Sequence, residues 1–302
     1  QLESIAETAR DVDLAIRWGY GWTLGPFETW QASGWKQVAD WIAEDIVAGK
    51  AMSSAALPDW VFDGREGVHG AEGSYSPARD AKLLSGGQSL LPAMKLRLNA
   101  PGLLVDIAKI PALQGIRQEG NELVIGAAAT HAAIAASDLV KNTIPILAQG
   151  AGLIGDPSVR NKGTLGGSLA HADPSADWPA LILVTNATVV CQSTSGSRTV
   201  AASDFFTDLY ATALEDGELI TEVRFPIVAS AKMSYQKFLQ PASRFAIVGC
   251  AVARYPDGTT HVVFTGAASH AYHAVEVEKA LAGKELTAEN IATAVEQVAS
   301  GS

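Results

Sequence analysis

The sequence predicts an α+β protein that begins with a helical segment. From residue 81 onward, short apolar runs alternate with longer amphipathic stretches and glycine-rich loops, which is typical of mixed helix and sheet. The first 80 residues differ in composition, because six of the seven tryptophans lie among the first 60. We place the change of composition between Gly64 and Ala81, where glycine and polar residues interrupt the periodic pattern. The chain of 302 residues is long enough for two or three domains.

Composition and charge exclude several classes of protein. With 48% hydrophobic and 18% charged residues, the chain can bury a sizeable core, so wholesale disorder is excluded. The net charge of −10 disfavours a nucleic-acid partner, and no apolar run is long enough for a membrane span. Cys191 and Cys250 stand alone, which argues against a zinc site or an iron–sulfur cluster and favours the cytoplasm. His171 and Asp173 lack a third ligand nearby, so no metal site is predicted.

The N-terminal segment is predicted to be helical. Apolar residues recur at helical spacing over residues 4–17 and 35–48, and residues 19–30 between them read as an aromatic turn broken by glycines. The aromatic side chains have two interpretations. They form either a small core between two helices or a slot for an apolar ligand.

The rest of the chain is predicted to alternate strands with helices. We expect strands over Ala81–Leu84, Leu103–Ile107, Leu123–Ala128, Thr188–Gln192, Leu219–Phe225, Tyr235–Leu239, Ala246–Arg254 and His261–Thr265. Helices are expected over 131–139, 143–154, 272–283 and 287–299.

A first glycine loop follows the strand predicted at Ala81–Leu84. Its sequence is Leu83-Leu-Ser-Gly-Gly-Gln-Ser-Leu90, and two adjacent glycines let consecutive backbone N–H groups approach an anion. The loop lacks the Gly-Lys-Ser/Thr of a P-loop and the GxGxxG of a dinucleotide fold. Taken alone, it is equally consistent with a simple tight turn.

A second glycine loop, Arg160-Asn-Lys-Gly-Thr-Leu-Gly-Gly-Ser168, repeats this chemistry. Its glycines are expected to expose backbone amides, and Thr164 adds a hydroxyl. Asp177 follows 13 residues after Thr164, behind Pro174, where a rigid turn can direct the carboxylate towards the loop. Two amide-rich loops and one carboxylate suit a pyrophosphate joined to a polyol.

Residues from about 80 to the C-terminus resemble the FAD-binding medium subunit of molybdenum hydroxylases, of the carbon monoxide dehydrogenase and xanthine dehydrogenase type. The likeness rests on three segments: Ala81 to Leu98, Asp156-Pro-Ser-Val-Arg-Asn-Lys-Gly-Thr-Leu-Gly-Gly167 and Asp173-Pro-Ser-Ala-Asp177. It implies a two-subdomain FAD-binding domain over residues 79–228, with its first subdomain incomplete. A shortened C-terminal α/β domain over residues 229–302 is also implied, after a helical segment over 1–78.

The resemblance also implies which residues bind FAD. The two loops are expected to hold the diphosphate, Asp177 the ribityl or flavin end, and the later positions the ring. The implied positions are Leu83, Leu84, Ser85, Gly86, Gly87, Gln88, Ser89, Leu90, Ile154, Thr164, Leu165, Gly166, Gly167, Ser168, Asp177, Leu219, Ile220 and Lys237. Two of these residues have ordinary alternatives, because Ile154 fits a helix core and Lys237 fits a solvated strand position.

The resemblance implies electron transfer rather than substrate chemistry. In this family a molybdopterin-binding large subunit oxidises the substrate, and a small subunit with two [2Fe–2S] clusters passes electrons to FAD. We therefore expect both subunits as partners and no catalytic residue in this chain. Two other functions stay open. The first alternative is a stand-alone flavin oxidase, which needs a base beside the ring, and the second is a chimera that folds without binding FAD.

Residues 1–77 resemble a different family, the C-terminal helical region of bacterial 3-hydroxyacyl-CoA dehydrogenases. This likeness rests on the segment Arg17-Trp-Gly-Tyr-Gly-Trp-Thr-Leu-Gly-Pro-Phe-Glu-Thr-Trp30. No GxGxxG follows a strand in these residues, so hydride transfer of that kind is not expected. We expect residues 1–64 to make no contact with the flavin.

Overall fold

The computed structural model describes residues 9–20, 22–62, 64–70, 73–74, 81–98, 101, 103–215 and 217–296. The chain divides into two compact units. One unit comprises Gln1–Leu83 and Asn99–Val105, and the other comprises Leu84–Leu98 and Asp106–Ser302. The domain boundaries expected at residues 78 and 228 stay predictions. None of the helices within the described ranges is long and apolar enough to cross a membrane.

The first unit is built mainly from helices. These are α1 (Ala9–Tyr20), α2 (Pro26–Ala32) and α3 (Trp35–Val47), followed by the short strands β1 (His69–Gly70) and β2 (Gly73–Ser74). The two helices predicted from the sequence are present in the described range, and residues 4–8 lie outside it. The aromatic turn expected over residues 19–30 is wrong in its second half, where α2 begins with Pro26. The buried Asp13 carboxylate accepts hydrogen bonds from the N–H groups of Phe27 and Glu28 and so caps this helix.

Four aromatic rings pack inside this unit. Trp30 and Trp35 stack with their ring centroids 4.3 Å apart, and Phe27 and Trp60 stack against Trp35. The buried indole of Trp35 donates to the Val61 carbonyl at 3.0 Å. These rings therefore form a small core, the first of the two interpretations from the sequence. Three further tryptophans are exposed: Trp18, Trp22 and Trp41.

A two-stranded sheet and a short helix follow. The strands are β3 (Ala81–Leu84) and β4 (Leu103–Asp106), and the helix is α4 (Leu90–Lys95). The first glycine loop fills the interval between β3 and α4. Residues Leu84–Leu98 belong to the second unit, and so the loop from Ser85 onward does too.

A five-stranded antiparallel sheet forms the centre of the second unit. Its strands are β5 (Ile116–Glu119), β6 (Glu122–Gly126), β7 (Thr188–Ser193), β8 (Gly196–Ala201) and β11 (Leu219–Pro226). They lie in the order β5-β6-β11-β7-β8. The bridging piece α11 (Ala202–Phe205) and the small hairpin β9 (Phe206–Asp208) and β10 (Ala211–Thr212) lie between β8 and β11.

Six helices lie between β6 and β7 in the chain. They are α5 (His131–Ala136), α6 (Asp138–Thr143), α7 (Pro145–Leu153), α8 (Pro157–Arg160), α9 (Leu165–His171) and α10 (Asp177–Val184). The single helix predicted over 131–139 is wrong, because Ser137 ends α5 and caps α6 with its hydroxyl. All residues of α10 are buried, so the helix has no polar face and its sequence lacks the helical periodicity that prediction requires.

A second antiparallel sheet completes the unit. Its strands are β12 (Lys232–Leu239), β13 (Ala246–Arg254), β14 (Thr260–Thr265) and β15 (Tyr272–His273), and they pair in this order. The helices α12 (Val275–Leu281) and α13 (Ala288–Val295) follow. The helix predicted from residue 272 starts only at Val275, because Tyr272 and His273 pair with β14. α10 packs against β13 and β14, so this sheet and the helices share one core.

Candidate functional site

The first glycine loop presents a row of unengaged backbone N–H groups. No acceptor among the described residues binds the amides from Gly86 to Leu90. Gly87 adopts a φ of +69°, in the left-handed region that other residues rarely occupy. The loop is half-buried at Ser85–Gly87 and exposed at Gln88 and Ser89, so a ligand has access to these donors. Consecutive free amides in a turn form an anion-binding concavity.

The two glycine loops lie against each other. The Oγ atom of Ser85 is 3.0 Å from Oγ1 of Thr164, although the two residues are 79 positions apart. A Cβ atom at Gly86 would overlap the carbonyl oxygen of Lys162 and lie 2.7 Å from the Cα atom of Gly163. Gly86 is thus required for contact between the loops, in addition to any approach of a phosphate.

The second loop uses most of its amides within the protein. The N–H groups of Gly163 and Gly166 donate to the carbonyls of Val159 (2.7 Å) and Ala127 (2.8 Å), and Gly166 packs directly on Ala127. The expectation that these two glycines expose their amides is therefore wrong. The Thr164 hydroxyl is buried beside Ser85, accepts from the Gly167 N–H at 3.2 Å and caps α9.

His131 and Trp178 support the second loop from behind. The indole of Trp178 donates to the ring atom Nδ1 of His131 at 3.0 Å. The backbone N–H of His131 donates to the Gly163 carbonyl at 3.0 Å. A Cβ atom at Gly163 would lie 2.8 Å from Nε2 of His131, so the ring packs against the loop. Burial lowers the pKa of His131 to about 4, and the ring is neutral at pH 7. Sequence analysis did not identify either residue as part of the site.

Asp177 and Lys237 form a buried ion pair. Nζ of Lys237 donates to Oδ2 of Asp177 at 2.8 Å and to the Leu153 carbonyl at 3.3 Å. The Tyr235 hydroxyl donates to Oδ1 of Asp177 at 2.5 Å. The Lys237 side chain is only 1% exposed, so its interpretation as a solvated strand residue is wrong. Burial raises the pKa of Asp177, and the Lys237 ammonium and Tyr235 hydroxyl act in the opposite direction.

The predicted site also includes three apolar residues, Ile154, Leu219 and Ile220. Ile154 follows the last residue of α7, is half-buried and packs against the main core, and its carbonyl accepts from Arg160 at 2.9 Å. Leu219 and Ile220 open β11, where Ile220 is buried in the core and Leu219 is half-buried. The next residue of β11, Thr221, accepts from the Ala127 N–H at 2.9 Å, so the strand connects to the second loop through Ala127.

The remaining predicted positions flank the loops. The Leu84 carbonyl accepts from the Ile107 N–H at 2.9 Å, which ties the start of the first loop to the end of β4. Leu90 and Ser168 are half-buried, and Leu165 is fully buried and donates its N–H to the Ala129 carbonyl. Leu83 belongs to the other unit and is exposed.

The arrangement suits a ligand that carries phosphate. The first loop supplies free backbone donors next to the hydroxyls of Ser85 and Thr164, while the buried carboxylate of Asp177 and ammonium of Lys237 pair with each other. Within the described ranges no three His, Cys, Asp or Glu side chains are placed to hold a metal ion. The donors present fit the diphosphate of FAD, because each phosphate oxygen can accept from an N–H or O–H group.

A comparison with known families identifies the class of protein. Residues 71–228 match the FAD-binding domain of molybdopterin dehydrogenases. The chain belongs to this family. The resemblance recognised in the sequence and the α+β fold are thereby confirmed. The first 70 residues lie outside the match, and their likeness to 3-hydroxyacyl-CoA dehydrogenases stays a prediction.

Individual relatives point in the same direction. The chain is 41% identical over 222 residues to the carbon monoxide dehydrogenase medium chain of Hydrogenophaga pseudoflava, covering 72% of this chain and 77% of that one. It is 34% identical over 227 residues to the nicotine 6-hydroxylase medium subunit of Paenarthrobacter nicotinovorans, covering 73% and 79%. Among solved structures, it is similar to that carbon monoxide dehydrogenase, at a TM-score of 0.69 and 42% identity over 72% and 77%. Quinoline 2-oxidoreductase of Pseudomonas putida 86 is also similar, at a TM-score of 0.70 and 34% identity over 74% and 80%.

Proposed function

We propose that the chain is the FAD-binding electron-transfer subunit of a heteromeric molybdenum hydroxylase. The observation that carries this proposal is the row of free amides from Gly86 to Leu90, held against the Thr164 hydroxyl by the contact between the loops. Membership of an FAD-binding family supports the inference that FAD is the ligand of these donors.

The proposal assigns roles to the chain's own residues. The segments Leu84–Leu90 and Thr164–Ser168 bind the diphosphate, with the first loop supplying most of the N–H donors. Asp177 and Lys237 contact the ribityl or flavin end. Ile154 and Leu219 or Ile220 exclude water from the ring; Ile154 packs against the apolar core, and Ile220 is buried in it. A buried charged pair beside the ring adjusts its potential, because charges act strongly where water is excluded.

The partners follow from the relatives. Several are named as the medium chain or FAD subunit of carbon monoxide, glyceraldehyde or nicotinate dehydrogenase, which indicates assemblies of unlike chains. We infer a molybdopterin-binding large subunit and a [2Fe–2S] small subunit as partners of this chain. When bound, FAD supplies the ability to accept electrons from the clusters and pass them to an external acceptor. A cytoplasmic location is part of the proposal and rests on the two separate free cysteines.

The proposal is tested first by FAD binding. The purified chain is titrated with FAD, and binding is followed by the quenching of flavin fluorescence. Ser85→Ala removes the hydroxyl that meets Thr164, and it is expected to weaken binding about tenfold, the loss of one hydrogen bond to a charged group. Ser195→Ala, in the turn between β7 and β8, removes an exposed hydroxyl away from the loops and should leave binding unchanged.

Electron transfer is tested with the partner subunits. Reduced [2Fe–2S] subunit is expected to reduce the bound flavin, and the chain without partners is expected to oxidise no substrate. Substrate oxidation by the isolated flavoprotein would instead identify a stand-alone flavin oxidase. A folded chain that binds no FAD would identify a chimera without flavin.

A further inference from the structure

The hydroxyl of Tyr235 is part of the buried polar group at Asp177. Tyr235 is 1% exposed and Asp177 is 4% exposed. The hydroxyl donates to Oδ1 of Asp177, while Lys237 Nζ donates to Oδ2. Tyr235 and Lys237 are two residues apart on β12, so both side chains lie on the same face of the strand. Each carboxylate oxygen of Asp177 thus has one donor from β12.

Gly249 on β13 makes room for this hydroxyl. Gly249 pairs with Lys237 across the two strands. A Cβ atom at Gly249 would overlap the Tyr235 hydroxyl and lie 2.8 Å from Cγ2 of Thr265. An alanine there would therefore push the hydroxyl away from Asp177 without removing any polar group.

The hydroxyl matters because the carboxylate is buried. An ionised carboxylate without enough donors takes up a proton instead of staying charged in an apolar surrounding. Burial already raises the pKa of Asp177, and the Tyr235 hydroxyl opposes that rise. If Asp177 were protonated, Lys237 would lose its counter-ion.

We propose that Tyr235 is a positioning residue of the flavin site: its hydroxyl holds the Asp177 carboxylate in place as the counter-ion of Lys237. The inference rests on the proposed function, in which Asp177 and Lys237 contact FAD. Tyr235 contacts neither glycine loop, and it is not among the residues that contact FAD in the proposed function.

Few titratable side chains lie near Asp177. β12 contributes Tyr235 and Lys237, α7 contributes the Leu153 carbonyl and no titratable side chain, and β13 contributes Cys250, whose thiol pKa is raised by burial. Other elements packed against α10 carry titratable side chains that are exposed or have their own neighbours. These are His171 beside Tyr210, Asp204 at an exposed position, Arg254 bonded to Thr260, His261 beside His273, and Tyr272 beside Phe264.

The test compares Tyr235→Phe with the wild-type chain. Both proteins are loaded with FAD, and their flavin absorption spectra and FAD contents are measured from pH 8 down to the acid limit of folding. Loss of the hydroxyl raises the pKa of Asp177 further, so the acid transition of the bound flavin is expected to move up by about one to two pH units. Tyr255→Phe is the matched control, since it removes a hydroxyl that donates to the Val184 carbonyl at 2.8 Å. Its acid transition should coincide with that of the wild type.

Gly249→Ala provides an independent variant. It is expected to move the acid transition in the same direction, and Tyr235→Phe/Gly249→Ala should move it no further than either change alone. If Tyr235→Phe does not fold by circular dichroism, Gly249→Ala decides the question with the same measurement. An unchanged transition in the folded variants overturns the role of Tyr235. A wild-type chain that binds no FAD overturns the proposed function instead.

Discussion

Lys237 Nζ lies 2.8 Å from Oδ2 of Asp177, a residue 60 positions earlier in the chain. The pair joins the second sheet to the first turn of the buried helix α10, and both side chains are almost fully buried. A buried ion pair costs desolvation free energy for both partners, so it adds little net stability, and a functional role is a better account of it. In the proposed function, that role is to present a fixed charge to the flavin.

Removal of the cation is expected to destabilise the protein strongly. Lys237→Met keeps the length of the side chain but leaves the Asp177 carboxylate buried without its partner, which typically costs about 3–5 kcal/mol. The double variant Lys237→Met/Asp177→Asn removes both charges and should recover much of this loss. Urea unfolding of the three proteins gives the free energies. Equal stability of the wild type and Lys237→Met would show that the pair is not formed.

A substitution in the first loop should separate ligand binding from backbone strain. Gly87 and Gly283 have nearly the same φ, +69° and +68°, so alanine pays a similar conformational cost at both. At Gly87, however, the new Cβ would lie 2.8 Å from Leu91 and shift the loop amides, whereas nothing lies within 4 Å at Gly283. Gly87→Ala is expected to weaken FAD binding at least about tenfold and Gly283→Ala not at all. Equal FAD affinities, measured by fluorescence titration, would place the diphosphate elsewhere.

His131 is expected to make the protein sensitive to mild acid. Its pKa is about 4 in the folded state against 6.5 for an ordinary histidine, so the unfolded chain takes up the proton first. The contribution to stability is complete above pH 6.5 and is lost as the pH falls from 6.5 through 4, by about 3 kcal/mol. His131→Gln removes the titrating ring, so its free energy of unfolding should fall less over this interval. Parallel pH profiles for the two proteins would contradict the burial of a neutral His131.

Glu218 should produce a separate transition at lower pH. Hydrogen bonds from Arg198 and from the Glu215 N–H lower the pKa of Glu218 from 4.5 to about 2. A lowered carboxyl pKa stabilises the folded state above pH 4.5, and this stability is lost as the pH falls from 4.5 towards 2. Thermal unfolding of Glu218→Gln should therefore depend less on pH in that interval than the wild type. Glu215→Gln, which removes an exposed carboxylate near the same arginine, is the control.

The positions of both loops could be predicted from the sequence, but the role of each glycine could not. The adjacent glycines at 86–87 and 166–167 mark both loops, because glycine spacing is readable without tertiary contacts. It could not reveal that Gly166 makes room for Ala127, or that Gly86 makes room for the Lys162 carbonyl. A missing Cβ has the same appearance in a sequence whether it admits a phosphate or a neighbouring backbone.

The family, the α+β class and eight of the fifteen described strands could be predicted from the sequence, because period-two apolar runs and the loop motifs are local properties of the chain. Which polar residues come together depends on the tertiary structure. Tyr235 and Lys237 lie on β12 and Asp177 lies on α10, so their approach depends on how β12 packs near α10. His131 and Trp178 escaped notice for the same reason, since a histidine held by a hydrogen bond from a distant indole carries no local signal. Burial and long-range contacts shift the pKa values of Asp177 and His131, and neither effect can be predicted from the spacing of residues along the chain.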